Sequence, residues 1–338
     1  MKPLICGFAT VLGVACGTAT SAWAEPLPGI NLEGAAFGSG KIPGRDNWDY
    51  MFPKKDEISY YTGHGIKFFR LPFLWERLQP ELFAGLDPNY LGHIRDFVAD
   101  AKAAHATVIL DLHNYGQYHG ALIGSDTVPV TAFVDVWQRL AQVFGRDRSV
   151  VFGLMNEPKQ SSAQEWAAIE QQVINALRAK DVKNTISVSG IQWDGAHNFP
   201  QVNGEALAGL HDPGKAMIFE AHQYFDRDHS GTSPDCVPVD QVVGRLSPFT
   251  DWLRAHHARG LLGEFGVSGN EGCLADLRAA LTFVGQTADV WYGWTYWAGG
   301  PLWGNYMYSI EPSKDGTEKP QMTVLKDFMG KKQGHSPR

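Results

Sequence analysis

The feature that most constrains the fold is a rhythm in which eight short apolar runs alternate with segments of helical periodicity. The segments carry apolar side chains three or four residues apart, as Trp166, Ile169, Val173 and Leu177 do. Eight strand-and-helix units in one chain predict an α/β fold, a (β/α)8 TIM barrel in a single domain. The candidate strands are GINLEG (29–34), GIKFFRLPF (65–73), TVILDLHNYG (107–116), VVFGLMNEP (150–158), TISVSGIQW (185–193), AMIFEAHQYF (216–225), GLLGEFG (260–266) and VWYGWTYWA (290–298).

A doubly wound open sheet is the alternative fold, and it would usually place a glycine-rich phosphate turn after an early strand. The one candidate, GSGKIPG (38–44), lacks both the Lys-Ser or Lys-Thr ending of a P-loop and the dinucleotide-binding spacing. We therefore interpret it as a loop. The net charge of −7 offers no basic surface, so we expect no nucleic-acid partner.

Residues 1–24 are predicted to be a secretory signal peptide. Lys2 precedes an apolar run over 4–16, and the small residues Ala22 and Ala24 precede Glu25. The run is too short to span a bilayer, so we expect a secreted protein, extracellular or periplasmic, without a membrane anchor. Residues 25–330 are the predicted (β/α)8 domain, and 331–338 are predicted to be a disordered tail.

Export would leave two cysteines in the mature chain, Cys236 and Cys273. In an oxidising compartment an even pair predicts one disulfide. A metal site is disfavoured because the two cysteines are far apart and form no CxxC motif.

Polar residues at the ends of apolar runs should line the mouth of the barrel, because parallel strands open their C-terminal ends into the face where active sites form. Two carboxylates at such a mouth suit glycoside hydrolysis, and tryptophans suit the apolar faces of sugars. The candidate site residues are Arg70, His113, Asn114, Asn156, Glu157, Trp193, His222, Tyr224, Glu264 and Trp297.

The motifs RLPF, DLHNYG, GLMNEP, AHQYFDRDHSG, GEFGVSGNEGC and GWTYWAGG occur in the order found in glycoside hydrolase family 5. The chain most resembles the endo-β-1,4-glucanase (cellulase) branch of that family. The resemblance implies a monomeric enzyme without metal or cofactor. It would hydrolyse internal bonds of cellulose and related soluble β-glucans by a retaining double displacement.

The resemblance also implies a role for each site residue. Glu264 is the expected nucleophile, with Arg70 and Tyr224 beside it, and Glu157 is the expected acid/base. The remaining expectations are a 2-hydroxyl contact for Asn156, polar floor positions for His113 and His222, a stacking platform for Trp297, neighbouring subsites for Trp193 and Trp303, sugar contacts for Asn114 and His119, and a Cys236–Cys273 disulfide between loops beside Glu264.

Three alternatives stay open. An endo-β-1,4-mannanase would share this catalytic frame, a metal-dependent barrel hydrolase would use the same residue types, and a carbohydrate-binding protein would have lost catalysis. Glu33, Glu76 and Glu220 are acids near strands that match no catalytic position of the family. Trp137, Trp166 and Trp252 are expected in the core, and Trp291 and Trp294 could pack or bind.

Overall fold

A computed structural model describes residues 25–330, and its central feature is a closed barrel of eight parallel strands. The (β/α)8 prediction is therefore confirmed. A small antiparallel hairpin, which was not predicted, is added after the third strand. The strands are β1 (Leu27–Leu32), β2 (Phe68–Phe73), β3 (Thr107–Leu112), β4 (Gln117–Tyr118), β5 (Ala121–Leu122), β6 (Val150–Gly153), β7 (Ile186–Val188), β8 (Met217–His222), β9 (Gly260–Phe265) and β10 (Trp291–Gly299).

The barrel strands follow one another around the ring in chain order, and β1 closes it by pairing with β10. All eight predicted strands are present. Several end earlier than predicted, because the polar residues that finish each apolar run leave the sheet and line the mouth.

Helices follow the barrel strands and pack on the outside. Their starts are fixed locally: Asp87 accepts hydrogen bonds from the backbone N–H groups of Asn89 and Tyr90, and Ser162 and Asn270 cap two further helices in the same way. The helices are α1 (Lys55–Gly63), α2 (Trp75–Leu78), α3 (Pro88–Ala103), α4 (Val130–Phe144), α5 (Ala163–Arg178), α6 (Glu205–Ala208), α7 (Val242–Ala255), α8 (Glu271–Gln286) and α9 (Gln321–Leu325).

Two separate apolar clusters fill the fold. The larger lies between the barrel and its helices, and it buries all five tryptophans at positions 137, 166, 252, 291 and 294. The smaller, which we call the apolar layer, plugs the inside of the barrel. It consists of Phe68, Ile109, Val151, Ile218 and Leu261.

Within the range 25–330, no helix combines the length and the apolar character needed to cross a membrane. The predicted signal peptide (1–24) and the predicted tail (331–338) lie outside the described residues.

Candidate active site

Arg70 is the centre of a charged layer inside the barrel, one pleat above the apolar layer. Its guanidinium lies 2.9 Å from Glu220 Oε1, 3.0 Å from Glu264 Oε1 and 3.2 Å from Asp111 Oδ2. It also donates hydrogen bonds to the side-chain oxygens of Asn31 and Asn156 at 2.9 and 2.8 Å. Arg70 is fully buried, and a buried charge is tolerated only when it is paired in this way.

Glu264, near the end of β9, is held as a carboxylate. Its Oε1 accepts a hydrogen bond from Arg70 at 3.0 Å, and its Oε2 accepts one from the hydroxyl of Tyr224 at 2.8 Å. Burial, the largest influence, raises the pKa of Glu264, but the positive charges of His222 and Arg70 outweigh it and leave the pKa below its usual value. An ionised carboxylate at the mouth can act as a nucleophile.

Glu157 follows β6 and is the partner of Glu264 across the mouth. Its backbone lies in the left-handed region with φ 42°, which is uncommon for a non-glycine residue. Burial, reinforced by the charge of Glu264 and opposed by the hydrogen bond from His222, raises the pKa of Glu157. A carboxyl group that keeps its proton can act as a general acid.

The two glutamates are close together. One carboxylate oxygen of Glu157, one of Glu264 and one ring nitrogen of His222 all lie within 4.8 Å of one another. The two carboxyl groups therefore approach to within 4.8 Å, measured between these oxygens. Inverting glycosidases need roughly 6.5–9.5 Å between their carboxyl groups to admit a water, whereas retaining enzymes have about 5–5.5 Å. The separation matches the retaining arrangement.

His222, the last residue of β8, links Glu157 to the charged layer. Its Nδ1 lies 2.8 Å from Glu157 Oε1 and its Nε2 lies 3.2 Å from Glu220 Oε1. Burial lowers the pKa of His222, but the surrounding carboxylates, Glu264 first, raise it well above its usual value. The Glu157–His222 pair therefore retains a proton near neutral pH.

His113 and Trp297 form a second wall of the mouth. Asp111 accepts a hydrogen bond from His113 Nδ1 at 2.7 Å, and the imidazole ring lies nearly parallel to the indole of Trp297 with centroids 5.8 Å apart. Asn156 Nδ2 and the Tyr115 hydroxyl each lie 3.4 Å from His113 Nε2. A partly exposed indole beside fixed polar groups is the usual composition of a sugar-binding surface.

Trp193 and Trp303 lie at the rim. Trp193 is 61% exposed, with the Lys159 ammonium 5.2 Å from its ring centroid. Trp303 meets Trp297 edge to face at 5.5 Å and stacks on Tyr306 at 4.6 Å. Both positions extend the aromatic surface beyond the glutamate pair.

The Asn114 side chain and the backbone of His119 make contacts within the protein that the sequence does not predict. Asn114 donates to Glu76 at 2.7 Å and accepts from the backbone N–H of Trp75 at 2.8 Å. The backbone N–H of His119 also donates to Glu76. Glu76 thus ties the β4–β5 hairpin to α2, and the Asn114 side chain makes one hydrogen bond within the protein through its oxygen and one through its nitrogen.

Sequence reasoning misses three members of the charged layer: Asn31, Asp111 and Glu220, the last of which it identifies only as an acid near a strand. The signal was the alternation of side chains along a strand, which puts residues two apart on one face. Asp111 precedes His113 by two residues, and Glu220 precedes His222 by two.

Glu157, His222 and Glu264 could in principle hold a metal ion, since their ligand atoms cluster within 4.8 Å. Both oxygens of Glu264, however, already accept hydrogen bonds, and one of these comes from the permanent cation of Arg70. A guanidinium at 3.0 Å repels a second cation, so this donor set fits a metal poorly.

The predicted disulfide joins Cys236 to Cys273, whose Cα atoms are 5.3 Å apart. Cys236 lies in the long loop after β8 and Cys273 in the first turn of α8, which follows the strand that carries Glu264. The bond therefore ties together two connections at the catalytic end of the barrel.

Comparison with known proteins gives a consistent result. Residues 29–300 match the model of the family described as cellulase (glycosyl hydrolase family 5). A probable endo-beta-1,4-glucanase B of Neosartorya fischeri is 34% identical over 331 residues, which cover 96% of this chain and 99% of that protein.

Solved structures are similar over nearly the same range. An endo-beta-1,4-glucanase from Xanthomonas axonopodis pv. citri is 43% identical with a TM-score of 0.88, covering 90% of this chain and 98% of that one. XacCel5A in complex with cellopentaose is 44% identical with a TM-score of 0.88, covering 90% and 99%. An endoglucanase Cel5A of Pseudomonas stutzeri in complex with cellobiose is 35% identical with a TM-score of 0.84, covering 90% and 92%.

Proposed function

The chain belongs to glycosyl hydrolase family 5, and from this premise and its paired glutamates we infer a retaining endo-β-1,4-glucanase. Its substrates are cellulose and related soluble β-glucans, cut at internal β-1,4-glucosidic bonds. The observation that carries this conclusion is the Glu157–Glu264 pair, within 4.8 Å and in environments that shift the two pKa values in opposite directions.

In the first step, Glu264 attacks the anomeric carbon while Glu157 gives its proton to the departing glycosidic oxygen. A covalent glycosyl ester forms on Glu264, and the glycosidic bond breaks. The hydrogen bonds from Arg70 and Tyr224 keep Glu264 ionised and fix its direction of attack.

In the second step, Glu157 acts as a base. Once Glu264 is esterified, its negative charge no longer raises the pKa of Glu157. Glu157 then accepts a proton from a water molecule, the water oxygen attacks the anomeric carbon, and the ester bond to Glu264 breaks. Each step inverts the configuration at the anomeric carbon, so the two steps together restore it.

We propose the other site roles on the contacts around this pair. Asn156, held by Arg70, is placed to bind the 2-hydroxyl of the reacting sugar. Trp297 stacks on that sugar, and His113 and His222 bind its hydroxyls. Trp193 stacks on a neighbouring sugar at the rim. For Asn114 we propose a supporting role through Glu76 in place of direct sugar binding.

We also propose that the enzyme is exported and works outside the cytoplasm as a monomer without a metal or cofactor. The predicted signal peptide (1–24) and the disulfide support export. The poor fit of a cation beside Arg70 supports metal-independent hydrolysis. Activity that EDTA abolished and zinc restored would replace this part of the proposal with a metal-dependent hydrolase.

The test is the release of reducing ends by the mature protein from carboxymethyl-cellulose, mixed-linkage β-glucan, glucomannan and pure mannan. Release from the glucans that is absent in Glu264→Gln supports the proposal. Activity confined to mannan would keep the barrel and both glutamates but overturn the substrate, and a fully active Glu264→Gln would overturn the mechanism.

A further inference from the structure

The chain after β7 leaves the sheet in a conformation that costs free energy. Gln192, Trp193 and Asp194 have φ values of 56, 60 and 52°, so three consecutive non-glycine residues occupy the left-handed region. Such a run persists only where the surrounding structure over-determines it, and backbone strain of this kind concentrates at functional sites. We call residues 190–195 the left-handed turn.

Two buried polar side chains hold the left-handed turn. Asp194 is fully buried, and its Oδ1 accepts a hydrogen bond from the backbone N–H of Gly190 at 2.6 Å. Asn203, also buried, binds both the N–H and the C=O of Ile191, at 2.9 and 3.1 Å. A Cβ at position 190 would lie 2.3 Å from the Asn203 amide nitrogen, so a glycine is required there.

The left-handed turn is joined to His222 by the backbone. The N–H of His222 donates to the carbonyl of Asp194 at 2.8 Å, and the carbonyl of His222 accepts from the N–H of Ala196 at 2.9 Å. The pairing of β7 with β8 ends at Val188 and Phe219. The chain pairs with β8 again where Gly195 lies opposite His222. The His222 side chain in turn lies 2.8 Å from Glu157.

The left-handed turn also carries Trp193. Because 61% of this residue is exposed, packing alone does not fix the indole. Its one cationic neighbour among the described residues is Lys159, whose ammonium lies 5.2 Å from the ring centroid. The indole also lies edge to face with Tyr115, with ring centroids 6.5 Å apart, and the backbone that Asp194 closes sets the direction in which the side chain leaves the turn.

We infer that Asp194 is a positioning residue for the leaving-group side of the reaction. Its carboxyl group locks the left-handed turn, and the turn places Trp193 on one side and His222, which holds Glu157, on the other. The acid protonates the departing sugar. Trp193 contacts Lys159, which follows Glu157 by two residues, so we assign Trp193 to the same side of the site. This inference rests on the proposed function and adds a residue that touches neither substrate nor the reacting atoms.

Two substrates separate this role from a purely structural one. Hydrolysis of mixed-linkage β-glucan needs both the acid and the sites for the departing chain. For 2,4-dinitrophenyl β-cellobioside, kcat/KM reports only the formation of the glycosyl ester, which needs neither, because dinitrophenolate departs without a proton and is not a sugar. We expect Asp194→Ala to lower kcat/KM on β-glucan about 10- to 100-fold, the cost of a small misplacement, and on the aryl cellobioside less than about threefold. Asp194→Asn, which keeps the oxygen that accepts from Gly190, should restore β-glucan hydrolysis to within about threefold of wild type.

The ratio of the two kcat/KM values decides the outcome. An equal fall on both substrates, with a lower melting temperature, would overturn the inference in favour of general destabilisation, and an unchanged ratio in folded Asp194→Ala would also overturn it. If Asp194→Ala does not fold, the same ratio in Asp194→Ser decides. Failure of the wild-type protein on both substrates would instead overturn the proposed function.

Discussion

The same strands build two layers inside the barrel, and the layers are opposite in chemistry. At Phe68, Ile109 and Ile218 the strands contribute the apolar layer. Two residues further along the same three strands come Arg70, Asp111 and Glu220, the charged layer. A single pleat thus separates a plug that stabilises the barrel from a network that organises catalysis.

The contrast shows how the free-energy cost of burying the charges of the active site is offset. A guanidinium and three carboxylates are retained in the interior only because they are paired, and Arg70 has three carboxylate partners, so it stays paired when one of them is lost. The apolar layer beneath needs no partners, since its side chains gain free energy simply by leaving water. We therefore expect substitutions in the charged layer to affect activity first and those in the apolar layer to affect stability first.

The largest effect is expected from Glu264→Gln. Loss of the nucleophile should lower kcat/KM on β-glucan at least about 10⁴-fold, equivalent to roughly 5.5 kcal/mol. The melting temperature should stay close to that of wild type, because Asp111 and Glu220 still neutralise Arg70. The control is Glu205→Gln, an exposed residue of α6, which should keep full activity. Activity within tenfold of wild type would remove Glu264 from the mechanism.

Phe68→Ala tests the apolar layer with the next largest effect. The side chain is fully buried, so its loss should lower the free energy of unfolding by about 3–5 kcal/mol. The kcat of the folded protein should remain within about threefold of wild type, as measured below the unfolding transition. A large fall in kcat at unchanged stability would contradict the division between the layers.

The pH dependence of kcat/KM should follow the two glutamates. Activity requires Glu264 ionised, so it falls as the pH drops through a pKa that lies below the usual value. Activity also requires Glu157 protonated, so it falls as the pH rises through a pKa that lies above the usual value. The profile on β-glucan should therefore be a broad bell. On its acid and alkaline limbs, kcat/KM should fall about tenfold per pH unit.

Glu157→Gln identifies the alkaline limb. On 2,4-dinitrophenyl β-cellobioside, which needs no acid for departure, the variant should still form the glycosyl ester. On β-glucan its residual kcat/KM should lack the alkaline limb that the wild type shows. A limb that persisted unchanged would assign it to another group.

Ser187→Ala should give the smallest effect. Its hydroxyl donates to Glu220 Oε2 at 2.9 Å, and the loss of one such bond to a buried carboxylate should cost about 1–2 kcal/mol of unfolding free energy. Ser59→Ala, which removes an exposed hydroxyl in α1, should change it by less than about 0.5 kcal/mol. Equal melting temperatures for the two variants would show that this bond adds nothing to the charged layer.

The sequence predicted the barrel because strand and helix periodicities are local signals that survive in a single chain. The position of Glu264 and Glu157 at run ends followed from the same logic. The charged layer was harder to predict, because Asp111 and Glu220 sit inside apolar runs, where only their spacing from His113 and His222 marks them. The left-handed turn was not predictable, since no glycine or asparagine marks residues 192–194.

Asn114 shows another limit. It lies directly after His113 at a strand end, and the sequence alone placed both at the mouth. Adjacent side chains of an extended chain point to opposite sides, and the Asn114 amide donates to Glu76 in α2, a helix that the sequence pattern does not predict. Contacts between loops depend on the whole fold, which a local pattern does not contain.

The most direct test of the account is the configuration of the first product. The close Glu157–Glu264 pair predicts retention, so ¹H NMR of cellopentaose hydrolysis in the first minutes should show the β-anomer at the newly formed reducing end, before mutarotation produces the α-anomer. If the α-anomer appeared first, the reaction would be inverting, and the proposed double displacement through Glu264 would be wrong.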